Sequence, residues 1–228
     1  MPIGDNLQAA RQRVTAACAR AGRDPRDVRI VVVTKTVGID AVNELIELGV
    51  TDIGENRVQD AALKVAAVRQ RHGSSAVTFH MIGHLQTNKA PQAVRTFDII
   101  HSIDSPRAAE AVSRAVEMQG KLMPILLEVN VSGEESKYGF DHDAAVAAAP
   151  GIAVLPGVRL DGLMTMAPLG AGEQTVRSVF RSLRELRDRM ASQCGIALPH
   201  LSMGMSQDYE IAVEEGATMV RVGMAIVG

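Results

Sequence analysis

A chain of 228 residues with 46% hydrophobic content is long enough to bury one sizeable core. Its 24 basic and 26 acidic side chains leave a net charge of −2, and aromatic residues make up only 3% with no Trp, so neither charge nor stacking favours nucleic acid. No apolar run approaches the roughly 20 residues of a membrane span, and Met1-Pro2-Ile3-Gly4-Asp5 lacks the basic-then-apolar order of a signal peptide, so a cytoplasmic protein is expected.

The first predicted element is a helix, with Asp5 as its cap, Leu7, Ala10, Val14, Ala17 and Ala21 on one face, and Gly22 as its stop. Cys18 lies inside it and Cys194 inside a later helix, which reads as two thiols in a reducing compartment. Ile30-Val31-Val32-Val33-Thr34-Lys35-Thr36 follows, a branched apolar run of the kind buried on both faces of a parallel sheet. A helix carries Val42, Leu45 and Ile46 inward and stops at Gly49. The alternation then repeats: strand 52–56, a helix through Val58, Ala61, Ala62, Val65 and Val68, strand 78–83, and a helix over 89–96. Strand 99–104 and helix 105–119 come next, then strand 122–130 and an Ala-rich helix over 141–149. Strand 158–166 precedes the clearest amphipathic helix, built on Val176, Val179, Phe180, Leu183, Leu186 and Met190. Strand 200–205, a helix around 211–213 and strand 219–224 close the series. Eight strands alternating with helices, without a linker between them, predict a single (β/α)8 TIM-type barrel as one domain over 1–228; a doubly wound open sheet is the alternative. No eighth helix is expected after the last strand, and the extra N-terminal helix can cover that gap.

In such a barrel the chemistry sits on the segments that follow the strands. Lys35 ends the first strand, where partial desolvation would free its amine for Schiff-base formation; a structural pairing with Asp52 or Glu55 is the competing reading. Asn56, His80, His84 and His101 lie on the next segments. A metal set from the three histidines lacks an acid at fitting spacing, so polar pocket lining is the better reading. Ser202, Gly204, Ser206 and Gly223, after strands seven and eight, could cradle a phosphate, although Gly and Ser also punctuate ordinary turns. Arg221 interrupts the apolar strand Met219-Val220-Arg221-Val222 and needs a partner. Strand eight closes on strand one, which brings that cation towards Lys35. A nucleophilic lysine, a phosphate cradle and a strand-borne arginine together fit pyridoxal 5′-phosphate (PLP).

The motifs then become specific. Val33-Thr34-Lys35-Thr36, Gly54-Glu55-Asn56-Arg57-Val58-Gln59, Phe79-His80-Met81-Ile82-Gly83-His84-Leu85-Gln86-Thr87-Asn88-Lys89, Ser136-Lys137-Tyr138-Gly139, Gly162-Leu163-Met164 and Leu201-Ser202-Met203-Gly204-Met205-Ser206 appear in order, followed by Met219-Val220-Arg221-Val222-Gly223. In these the chain resembles the YggS/PROSC family, the pyridoxal phosphate homeostasis proteins, over nearly its whole length. The resemblance implies the fold-type III barrel of the alanine racemase N-terminal domain. It also implies a Schiff base at Lys35, Arg221 facing the pyridine nitrogen, Ser202 with Gly223 on the phosphate, and Asn56 and His80 lining the ring pocket. No catalytic residue and no metal ligand is assigned. The implied role is a carrier or buffer of PLP, with PLP-dependent apoenzymes as partners and a monomer as the expected state. Arginine cannot pass a proton to the ring, and neither Tyr138 nor Tyr209 lies in a segment suited to a second base, so efficient catalysis is not expected. A PLP-dependent racemase is the runner-up, and a Schiff-base aldolase a distant third. Lys137 could cap the site or hold a second PLP; a solvated lysine is the equal alternative. The sequence departs from the family pattern at Val37 and Gly38 after Lys35-Thr36, at Met224 where a threonine is usual, and in its ending at Gly228.

Overall fold

The branched run after Arg29 forms the first of eight parallel strands. The structure, a computed structural model, describes residues 2–134 and 138–228; the Ser136 and Lys137 of the sequence motif lie outside the described residues. In chain order the elements are α1 (Ile3–Arg20), β1 (Arg29–Val33), α2 (Ile39–Glu47), β2 (Asp52–Glu55), α3 (Val58–His72), β3 (Thr78–Met81), α4 (Ala90–Thr96), β4 (Ile99–Ile103) and α5 (Pro106–Glu117). They continue with β5 (Met123–Glu128), α6 (His142–Ala153), β6 (Val158–Met164), α7 (Glu173–Cys194), β7 (His200–Ser202), α8 (Tyr209–Glu214), β8 (Met219–Val222) and α9 (Met224–Val227). Each strand pairs with the next, and β8 returns to β1 with Val31 opposite Arg221, so the sheet is a closed barrel and not an open one. The core lies between the outward strand faces and the helices. Val32, Ile53, Phe79 and Ile100 are fully buried there against Val42, Ala61, Val65 and Val94. Among the described residues no helix is long and apolar enough to cross a membrane.

Local signals decide most element ends. Ser105 caps α5 by accepting from Ala108 N, and Asp141 caps α6 by accepting from Ala144 N. Two expectations about the N-terminal helix and its gap need correction. Asp5 lies in the first turn of α1 instead of capping it; Pro2 holds the cap position without a side-chain bond. A one-turn helix, α9, does follow β8, nucleated as Ile226 and Val227 donate back to Gly223 O. α1 packs over α8 and α9, so it seals that side together with α9. Asn6 donates to Ile226 O, and Arg23 donates to Val213 O and Ala217 O. Arg13 and Arg20 reach Glu210 and Glu214 on α8. These surface pairs are screened by water and weak, so the apolar face of α1 carries the docking.

Candidate functional site

At the carboxyl ends of the strands the barrel opens into a cavity of about 660 Å³. Lys35, Asn56, Arg221 and Gly223 all line it. His80 and Ser202 do not; both side chains are 0% exposed and point into the barrel interior beneath the cavity.

The turn that presents Lys35 is pinned from below. Thr34 is buried and donates to Glu55 Oε1 at 2.6 Å, while Thr34 N donates to Gly54 O. Lys64, reaching across from α3, donates to the same Glu55 oxygen at 2.6 Å and to Thr34 O at 2.8 Å. Glu55 therefore belongs to Lys64, and Asp52 is engaged by His80. Neither acid pairs with Lys35. The expected desolvation is not met: Lys35 is exposed at the cavity mouth. Nor is Arg221 its neighbour along the sheet, because β1 ends at Val33 and Arg221 stands opposite Val31. The arginine lies deeper in the same cavity.

Arg221 is 4% exposed. Its Nη1 donates to Ser202 Oγ at 2.6 Å and its Nη2 to Thr165 O at 2.9 Å. Burial pulls the guanidinium down to about 10, which leaves it charged at neutral pH, with Glu128 and Asp208 pulling the other way. The serine hydroxyl on the cavity wall is that of Ser206, not Ser202. Ser206 does not cap α8; its Oγ accepts from Gly223 N at 3.2 Å and from Ala225 N at 3.4 Å. A hydroxyl that accepts twice keeps its own hydrogen for a ligand in the cavity. Gly223 packs so closely that a Cβ would meet Val33 Cβ at 3.3 Å. Gly204 has φ +91°, and a Cβ there would run into Ala212 Cβ and Tyr209 Cα, so only glycine lets this loop fold against α8. Met224 is 73% exposed on the rim.

The three histidines do not converge. His80 and His101 meet in the interior at 2.9 Å, whereas His84 pairs with Asp104 at 3.0 Å on the rim. Tyr138, set aside from the sequence, stacks on His84 with ring centroids 3.9 Å apart and lines the cavity. Tyr209 is buried at 1% exposure.

One cavity residue escaped the sequence reading. Glu128 ends β5, is 5% exposed and faces the cavity. Burial raises its carboxyl to about 7, Asp104 adding to the rise and Arg221 opposing it. An acid whose pKa is higher in the folded state stabilises most below its unfolded pKa, and that contribution is lost as pH rises through the folded one. Between pH 4.5 and about 7 the loss is up to roughly 3 kcal/mol. Glu128→Gln should then match the parent near pH 5 and exceed it in stability near pH 8, in urea unfolding at both pH values. Equal pH profiles for the two proteins would place the carboxyl in water.

The sequence profile described as alanine racemase, N-terminal domain, matches residues 6–228. The pyridoxal phosphate homeostasis protein of Aquifex aeolicus (strain VF5) is 38% identical over 98% of this chain and 96% of its own. A solved structure of an unknown protein from Bifidobacterium adolescentis superposes with TM-score 0.92 at 38% identity, covering 98% of this chain and 94% of that one. PipY of Synechococcus elongatus PCC7942, in a structure with PLP bound, gives TM-score 0.86 at 33% identity, over 99% of this chain and all of its own. With the profile spanning nearly every residue and relatives this similar from end to end, the chain belongs to the alanine racemase N-terminal domain family, among its pyridoxal phosphate homeostasis proteins.

Proposed function

We propose that this protein binds PLP in the cavity at the barrel mouth and serves PLP homeostasis as a carrier or buffer, with little or no catalysis of its own. The observation that carries the reading is that an amine, Lys35, a fixed guanidinium, Arg221, and the Ser206 hydroxyl beside Gly223 all face one cavity. When bound, PLP supplies an aldehyde that an amine can attack and a phosphate dianion that has to be held. Lys35 meets the first need from a turn that Glu55 and Lys64 keep rigid. Ser206 and the edge at Gly223 meet the second, in the place the sequence assigned to Ser202. Asn56 lines the ring pocket, and His80 acts from beneath it. Arg221 faces the ring with donors only, so it adds no proton there, which keeps the ring a weak electron sink. The names of the relatives and the PLP seen in PipY support the same ligand. In this reading residues 1–228 act as one domain, a cytoplasmic monomer that passes PLP to PLP-dependent apoenzymes.

An absorbance spectrum of the PLP-loaded protein before and after borohydride reduction, with mapping of the labelled peptide, tests the assignment. Label on Lys64 or Lys89 in place of Lys35 would overturn it. Ser206→Ala should weaken PLP by about tenfold, the worth of a hydrogen bond to a charged group. Met224→Thr, which adds a donor on the rim, should tighten it by up to about tenfold. Fluorescence titration of both variants reads the two shifts; unchanged affinity in Ser206→Ala would move the phosphate elsewhere.

Slow racemisation is the second reading. It needs a base across the ring from Lys35, and Glu128, on β5 directly across the eight-stranded barrel from β1, occupies that wall. Exchange of the α-hydrogen of alanine in deuterium oxide, lost in Glu128→Gln, would favour it.

A further inference from the structure

Beneath the cavity, side chains from five strands form an unbroken line across the barrel. Arg221 on β8 donates to Ser202 Oγ on β7, which lies 2.9 Å from His101 Nδ1 on β4. His101 Nε2 lies 2.9 Å from His80 Nδ1 on β3, and His80 Nε2 lies 3.0 Å from Asp52 Oδ1 on β2. The second Asp52 oxygen accepts from Thr51 Oγ1 at 2.7 Å. All five members are at most 8% exposed.

The direction of the line follows from what each group can do. Arginine only donates, so Ser202 Oγ accepts from it and turns its own hydrogen to His101 Nδ1. His101 then offers Nε2–H to His80 Nδ1, and His80 offers Nε2–H to the Asp52 carboxylate. With one proton on each imidazole, every hydrogen on the line meets an acceptor, and the bonds all point from cation to anion. Burial, helped by the nearby charge of Arg221, holds His101 well below the usual imidazole range, in keeping with that single proton. Burial works to raise Asp52, but the hydrogen bonds from His80 and Thr51 win and hold the carboxyl below its usual value. A barrel interior filled with apolar side chains would be as stable or more so. What a one-way chain of polar bonds adds is orientation at its end.

We propose that Asp52, His80, His101 and Ser202 are positioning residues, which together hold the Arg221 guanidinium in one orientation on the cavity floor and make the electronic state of a bound ring depend on the charge of Asp52 at the far end. This rests on PLP occupying the cavity. The chain itself can be read without PLP. In the unliganded protein, ¹⁵N spectra of the histidine side chains should show slowly exchanging N–H signals from both His80 and His101. Asp52→Asn should shift both. In the loaded protein, Ser202→Ala should weaken PLP about fivefold to tenfold and move its absorbance band, and Ser202→Thr, which keeps the hydroxyl, should restore both. Asp52→Asn should move the band although its side chain does not line the cavity. Asp161→Asn, which removes another buried acid, one paired with Arg159, should move neither readout. Folded Asp52→Asn and Ser202→Ala proteins with parental bands and parental PLP affinity would overturn the proposal. A parent protein that takes up no PLP would overturn the proposed function instead, and the ¹⁵N spectra would still report whether the chain exists.

Discussion

Lys35→Ala is expected to give no borohydride-stable adduct with PLP while unfolding within about 0.5 kcal/mol of the parent. The lysine side chain is exposed and makes no bond among the described residues that the fold uses. The groups that shape its turn are Thr34, Glu55 and Lys64, all untouched by the change. Affinity for PLP should fall but not vanish, because Ser206, Gly223 and Arg221 remain. Mass spectrometry after reduction and thermal unfolding of the same sample read the two halves of the expectation. A retained adduct would show that another amine reaches the aldehyde, and a large loss of stability would show that Lys35 holds the mouth together.

Arg221→Glu should have the largest effect on stability. The guanidinium now donates to Ser202 Oγ and Thr165 O. A carboxylate in its place would face the Thr165 carbonyl without a hydrogen to give, beside Glu128 and Asp208, whose charges already act on this position. Breaking a buried charged network in this way costs about 3–5 kcal/mol, or roughly 10 °C in Tm for a chain of this size. The new acid would take up a proton in the folded state. Its pKa would be raised, so the variant should be least impaired at low pH and lose stability as pH rises towards neutrality. An acid facing the ring nitrogen would favour a protonated ring and faster α-hydrogen exchange; the burial of Arg221 puts a folding penalty ahead of that gain. A variant as stable as the parent would mean that the guanidinium lies free in the cavity.

The barrel was legible because each of its units carries its own punctuation. Ile30-Val31-Val32-Val33 and the Gly49 stop show period and boundary within about twenty residues, and the same grammar repeats along the chain. The site was legible only where a residue breaks its surroundings. Arg221 in an apolar strand was found that way. Glu128 in Leu126-Leu127-Glu128-Val129 offers the same signal, masked by the polar segment Asn130-Val131-Ser132-Gly133 that follows it. Ser202 and Ser206 could not be told apart by type. β7 ends at Ser202, whose side chain turns into the barrel, while Ser206 lies four residues on at the mouth. Lys64 reads in sequence as one more solvated helix lysine. Its bond to Glu55 depends on how α3 lies over β2, which no local pattern encodes.

The way α1 is stapled to α8 and α9 also has a meaning in time. During synthesis, residues 3–33 emerge long before the segments that cover them. β1 can pair with β2 early, since Ile53 is the partner of Val32, but its other edge waits for Arg221 opposite Val31. That closure spans roughly nine times more chain, which adds about 2 kcal/mol of entropy cost. Until the last turns leave the ribosome, a strand of bare valines keeps an open edge and α1 keeps an uncovered apolar face. A chain stalled near residue 200 should therefore be sticky and prone to proteolysis. The segment 200–228 acts as the latch that turns a nascent, aggregation-prone sheet into a finished one.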